Sequence, residues 1–170
     1  MANLFDWSLD REVVLVKLLN HPREKVFAAW MDPEALSQWY GPDGLDIETH
    51  AADIREGGFW RFDMVGVFEG KPQRFPNLMR FVEVVPNARI VADYGTPEPG
   101  DPNQFRITVT FDAQGDGKTV LTLRQLHPTP EQRQKVIGFG AVEYGLQTLD
   151  SLAAWLDRQA TTQAAPSGKP

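Results

Sequence analysis

Residues 129–157 read TPEQRQKVIGFGAVEYGLQTLDSLAAWLD, and the fold turns on this stretch. Thr129 suits a helix N-cap, and Pro130 suits the first helical position, where a missing N–H does no harm. A helix from Glu131 to about Asp157 would be roughly 40 Å long at 1.5 Å per residue. Val142, Leu146, Leu149, Leu152, Ala153 and Leu156 fall at three- and four-residue spacings and draw a packing stripe. Gly138, Gly140 and Gly145 lie in the first half, each costing about 1 kcal/mol relative to alanine. Two readings of them stay open: a weak or kinked helix, or a close approach of backbone over a sheet or cavity.

Outward from the helix, six short strands precede it. Leu45 to Ile54 sets Leu45, Ile47, Thr49 and Ala51 against Asp46, Glu48 and His50. Phe59 to Gly66 sets Trp60, Phe62 and Met64 against Arg61 and Asp63. Leu78 to Val85 turns at Pro86–Asn87 into Arg89 to Tyr94. Phe105, Ile107, Val109 and Phe111 alternate with Arg106, Thr108 and Thr110. A Gln114–Gly117 turn follows, and Thr119, Leu121 and Leu123 then share one face. Val67 to Pro76, polar and proline-bearing, reads as a loop, as does Gly95 to Pro102.

Arg11 to Asn20 is a seventh strand, whose run Val13–Val16 predicts cover on much of both faces. Pro22 opens a helix with Val26, Phe27 and Trp30 on one side, and Pro33 opens a second, to Trp39. Short connections make the strands antiparallel, and only the last helix is long enough to cover a face. The expected fold is α+β: a curved antiparallel sheet of about seven strands, in the order β-α-α-β6-α, wrapped around a long C-terminal helix. Such a sheet leaves a cavity beneath the helix. Residues 1–10 read as an arm, packed through Leu4, Phe5 and Trp7, residues 11–158 as the domain, and residues 159–170 as a disordered tail.

At 170 residues, 42% of them apolar and 24% charged, the chain is one globular domain. Seventeen Lys and Arg against twenty-three Asp and Glu leave a net charge of −6, the wrong sign for a nucleic-acid binder. Cysteine is absent, which removes disulfides, thiolate metal sites and cysteine nucleophiles and fits a cytoplasmic location. Met1 to Asp10 carries two acidic residues and no basic one, unlike a secretory leader. The longest apolar stretch, Val13 to Leu19, is broken by Lys17 and is far too short to span a membrane.

His21, His50 and His127 show no metal-ligand spacing, so no metal and no cofactor is expected, and each histidine reads as structural or solvated. No serine sits in a nucleophile elbow and no phosphate-binding loop occurs. What remains is aromatic: ten Phe, five Trp and three Tyr. Trp39, Trp60, Phe62, Met64, Tyr94, Phe105, Val142 and Tyr144 are the candidate ligand-binding walls, with Trp30 and Tyr40 also to watch. Any single one of them reads as plain core before it reads as ligand wall. Arg61, Asp63, Arg80, Glu83, Arg124, Glu143 and Gln147 are the polar groups available to such a pocket, and Glu143 and Gln147 are spaced to present together.

Several stretches resemble the START-like (SRPBCC) helix-grip superfamily, in the branch named after the activator of the heat-shock-protein-90 ATPase. Pro22–Trp30 is similar to its strand-to-helix entry, and Trp39–Tyr40–Gly41–Pro42 to its W-x-G-P turn. Glu56–Phe62 carries the G-G-x-[FW]-x-F strand start, and Phe81–Pro86 the strand ending E-[IV]-x-P. Thr108–Phe111 with Thr119–Leu123 resembles its last hairpin, and Gly140–Glu143 with Gln147–Leu149 its last helix. The resemblance implies a helix-grip fold with a deep cavity suited to hydrophobic small molecules, and no single activity. Val65 stands where many relatives carry a polar residue, and the chain has no room for the co-chaperone's extra N-terminal domain.

Three readings follow. The first is binding of a hydrophobic or aromatic small molecule without catalysis. The second is a cyclase- or hydrolase-type enzyme using Asp63, Tyr94 and Glu143. The third is an adaptor whose partner is a chaperone or a second copy of the chain.

Overall fold

The computed structural model describes residues 9–164; the expected contacts of Leu4, Phe5 and Trp7 lie outside them. After a 3-10 turn at Leu9–Arg11 the strands are β1 (Glu12–Leu19), β2 (Leu45–Asp53), β3 (Phe59–Phe68), β4 (Lys71–Val85), β5 (Arg89–Gly95), β6 (Phe105–Gln114) and β7 (Lys118–Leu126). The helices α1 (Arg23–Met31) and α2 (Pro33–Trp39) separate β1 from β2, and α3 (Pro130–Phe139) and α4 (Ala141–Ala164) end the chain. All seven strands form one antiparallel sheet in the order β1-β7-β6-β5-β4-β3-β2. This is the α+β helix-grip fold.

Helices α2 and α3 start where their cap residues put them. The Asp32 carboxylate accepts from the Glu34 N–H at 2.9 Å, and the Thr129 hydroxyl accepts from the Gln132 N–H at 3.1 Å. Each satisfies an otherwise orphaned donor of the first turn. Register then sorts the strands' two faces. Leu15 pairs with Leu123, Leu123 with Val109, and Val109 with Ile90, all buried beneath the helices. Leu149, Leu152 and Leu156 of α4 close onto that face, each worth roughly 1.5–3 kcal/mol of burial. Leu146, expected in the same stripe, is exposed instead.

The last helix is two helices. Gly140 takes φ +110° and ends α3, so the chain turns before α4 begins. An alanine Cβ at Gly145 would lie 2.4 Å from Leu15 Cδ1, so α4 rests its backbone against β1 there. Both readings of the glycines therefore hold, at different glycines. Helix α4 continues to Ala164, so residues 159–164, expected to begin a disordered tail, are helical.

Three further expectations are corrected. Val67 to Pro76 is not a loop but the hairpin of β3 and β4, paired through Phe68 and Lys71. Beyond Leu78, β4 has no partner on the β5 side. Pro72 and Pro76, four residues apart, turn their nitrogens to that open edge, where no N–H is required. A bulge at His50 shifts the register of β2, so Ala51 pairs with Arg61 and leaves the face of Ile47 and Thr49. The outer side chains of β1 are also uncovered: Val14, Val16 and Leu18 are all about half exposed.

Candidate functional site

The inner side of the sheet is divided in two. At one end α1 and α2 pack a cluster of rings. Trp30 meets Trp39 at 5.0 Å, and Tyr40 meets Trp60 at 5.2 Å. Phe62 stacks on Trp60 at 3.7 Å. At the other end, beside the turn at Gly140, the sheet and the helices α3 and α4 enclose a hollow of about 330 Å³. Its sheet wall is Met64 and Phe68 of β3, Phe75 of β4, Tyr94 of β5, Phe105 of β6, and Leu123 and Gln125 of β7. His127, just past β7, completes that wall. The opposite wall comes from Trp30 and Tyr40, from Val136 and Phe139 of α3, and from Tyr144, Gly145 and Thr148 of α4. Phe68, Phe139 and Tyr144 stand within 6.0 Å of one another. Phe139 is 60% exposed, which places this trio at the mouth.

Polar groups inside are few. The Tyr94 hydroxyl donates to Asn77 Oδ1 at 2.8 Å, and Asn77 Nδ2 donates to the Phe75 carbonyl at 2.7 Å. Tyr40 and Tyr94 interact through their hydroxyls, and burial pushes both phenols well above their usual range, so both stay protonated. The Thr148 hydroxyl is spent on the Tyr144 carbonyl at 2.9 Å. His127 is 1% exposed and stacks at a tilt on Phe105, 4.9 Å away. Burial, aided by the nearby Arg133 charge, lowers its pKa from 6.5. Both nitrogens of His127 and the Nε1–H of Trp30 are buried without a hydrogen-bond partner among the described residues.

Of the eight expected wall residues, Met64, Tyr94, Phe105 and Tyr144 line the hollow. Trp39, Trp60 and Phe62 do not; they are fully packed in the adjoining ring cluster. Val142 is half-buried against the core, outside the hollow. The residues named for an enzyme do not converge. Asp63 alternates with the inward Phe62 and Met64 and lies on the outer face of the sheet. There it accepts from Arg74 Nη1 at 2.6 Å and meets His50 Nε2 at 3.0 Å. Glu143 is exposed, while Gln147 accepts from the Asp43 N–H at 3.1 Å and does not join it. Among the described residues no group of three His, Cys, Asp or Glu side chains is placed to hold a metal ion.

Phe68, Phe75, Gln125 and His127 are site residues that the alternation did not supply. The signal for the last two was present: stepping by two from Leu121 and Leu123 reaches Gln125 and then His127. A smaller hollow of about 210 Å³ lies between α1, α2 and the end of α4, with Lys25, Asp32 and Trp155 on its walls. Those walls are largely surface, and none of the orphaned nitrogens faces it.

A bent antiparallel sheet closing over a long helix around an aromatic hollow defines a START-like helix-grip protein, a class that commonly binds hydrophobic ligands. Residues 20–157 match the family described as Activator of Hsp90 ATPase homolog 1-like protein, and the chain belongs to that family. Solved structures agree in fold. A protein from Nitrosomonas europaea superposes with a TM-score of 0.78 at 23% identity, covering 91% of this chain and 99% of its own. One from Arthrobacter aurescens gives 0.78 at 18% identity, covering 95% and 94%. CalU16 from Micromonospora echinospora gives 0.57 at 16%, covering 89% and 79%. At these identities the likeness is one of fold. No curated protein matches the chain. No described helix is long and apolar enough to cross a membrane.

Proposed function

We propose that this protein binds a hydrophobic, aromatic small molecule in the hollow between sheet and helices, as a carrier or receptor and not as a catalyst. The observation that carries the reading is the hollow itself. About 330 Å³ of space walled by seven aromatic side chains and Trp30 lies within the range of small-molecule sites. Against catalysis stand the outward Asp63, the exposed Glu143 and the strongly raised pKa of Tyr94. Of the groups named for acid–base chemistry only Tyr94 borders the hollow, and burial holds it, like Tyr40 and His127 beside it, towards the neutral form.

Native mass spectrometry of protein purified from its own host should show a co-purifying small molecule. The apolar dye 1-anilinonaphthalene-8-sulfonate should bind the ligand-free protein. Thr148→Phe, which adds a ring inside the hollow from α4, should weaken that binding at least about tenfold, or about 1.4 kcal/mol. Undiminished dye binding by a folded Thr148→Phe variant would place the dye elsewhere and overturn the reading.

A second reading rests on a different observation. Val14, Val16 and Leu18 form an exposed apolar row on the edge strand β1, the kind of surface that joins protein partners. The partner we favour is a second copy of the chain, over a chaperone. Light scattering should then give a dimer mass, with Val16→Lys giving a monomer.

A further inference from the structure

We infer that two copies of the chain join through β1 as antiparallel edge strands centred on Val16, so that one sheet runs through both; this rests on the second-copy reading above. The open edges of the sheet are not alike. At one end β2 carries the exposed Asp46, Glu48 and His50 and is broken by the bulge at His50. The overhang of β4 carries Lys71, Pro72, Arg74 and Pro76. Charges, bulges and prolines are the devices that keep an edge from pairing with a foreign strand. From Val13 to Leu19, β1 lacks them. Its pairing with β7 runs without a register shift and no proline interrupts it. The one charge in that run, Lys17, is engaged with Asp150 of α4.

The backbone sets the register of such an edge. The His127 N–H donates to the Arg11 carbonyl at 2.9 Å, so Arg11 faces β7, and successive residues of an antiparallel strand face alternate sides. Val13, Leu15, Lys17 and Leu19 therefore spend their N–H and C=O groups on β7. Val14, Val16 and Leu18 turn theirs to the open edge. Side chains keep to their own faces across a new ladder only when these three meet one another in the partner. A pairing centred on Leu15 would bring Leu18 against the partner's Glu12, and in each chain the Glu12 carbonyl already accepts from Arg133 Nε at 2.6 Å. A pairing centred on Lys17 would set two like charges opposite each other. Centred on Val16, Val14 meets the partner's Leu18 and Val16 meets the partner's Val16, with about six new N–H···O bonds. The half-exposed row of Val14, Val16 and Leu18 then continues across the two-fold axis.

The chain has no cysteine, so introduced thiols report the register. Under mild oxidation Val16→Cys should crosslink into a covalent dimer, its two Cα atoms lying about 5.5 Å apart. Val14→Cys and Leu18→Cys alone should not, each lying four residues, about 13 Å, from its own copy. The double variant Val14→Cys/Leu18→Cys should crosslink. The wild type supplies a readout that depends on no variant folding. Deuterium exchange at the amides of Val14, Val16 and Leu18 should slow at least about tenfold at concentrations that give a dimer mass and recover on dilution. A dimer in which Val16→Cys links no faster than Val14→Cys overturns the edge pairing and leaves the second-copy reading standing. A monomer at every concentration by light scattering overturns both. Slow exchange at those three amides in such a monomer would mean that residues 1–8 of the same chain cover the edge.

Discussion

Trp30 and Trp60 belong to the same run of rings, yet they do different things. Trp60 is 0% exposed, its ring is stacked on Phe62, and its N–H is bonded to Thr49. Trp30 is almost as buried and meets Trp39, Tyr40 and Phe111. One edge of it borders the hollow, and its N–H is unpaired. Residue type and burial do not tell these two rings apart. The state of the polar atom does.

The comparison breaks most visibly in stability. Trp60→Ala should cost about 3–5 kcal/mol, as large-to-small core changes do, read as a lower urea midpoint at unchanged slope. A sharper version changes both indoles to phenylalanine. Trp60→Phe removes the hydrogen bond to Thr49, whose exposed hydroxyl turns to water, and should cost about 0.5–1.5 kcal/mol beyond packing. Trp30→Phe deletes an unpaired donor and carries no such surcharge. Equal costs for the two would mean that the Trp30 N–H is satisfied in solution and that the contrast is false. Trp60→Ala should lower dye affinity only through loss of the fold, since Trp60 does not touch the hollow.

A second contrast lies along the last helices, where three glycines of equal intrinsic cost sit in unequal places. At Gly140 the positive φ strains any side chain, and a Cβ would meet the Tyr144 ring at 2.9 Å. Gly140→Ala should therefore lose about 1–3 kcal/mol and disturb the mouth of the hollow. At Gly145 the crowding against Leu15 opposes the gain in helix propensity, leaving a net loss of about 1 kcal/mol. At Gly138 nothing lies within 4 Å, and alanine should stabilise by about 0.5–1 kcal/mol. Thermal unfolding of the three variants should rank them in that order, with the sign reversed for Gly138→Ala.

Those glycines also mark where reading the chain stops. Periodicity is local, so the alternation of β3 and β6 and the stripe Leu149, Leu152 and Leu156 were legible, and with them the bent sheet and its covering helix. A glycine's reason is tertiary: its own sequence position does not say whether Leu15 stands opposite or open solvent. The same holds for Pro72 and Pro76, which look like loop residues until β4 is known to outrun β5. That misreading hid Phe68 and Phe75 from the site. His127 was hidden by a different habit, ending the strand at its last apolar residue although the alternation of β7 carries on through Gln125. Trp39, Trp60 and Phe62 were misplaced because alternation gives the face of a sheet but not the position along it where the helices stand off.

The smallest effect separates the two faces of β3. Phe62 and Met64 point inward, whereas Asp63 between them carries a charge network on the outside, with Arg74 bridging it to Glu48 at 2.7 Å. The Arg74 hydrogen bond, outweighing the cost of burial and helped by His50, holds the Asp63 carboxyl below its ordinary 3.8. A depressed pKa means that the unfolded chain takes up the proton first. The stabilisation is thus complete above about pH 3.8 and drains away as the pH falls through the lowered folded value. Arg74 and Glu48 are half exposed, so the contribution is small and should shrink further in salt. Asp63→Asn should be slightly less stable than the wild type at neutral pH, and the gap should close in acid. Dye binding should be untouched by Asp63→Asn at neutral pH, because this carboxylate faces away from the hollow. A loss of affinity there would put Asp63 back in the site and undo the division between the two faces.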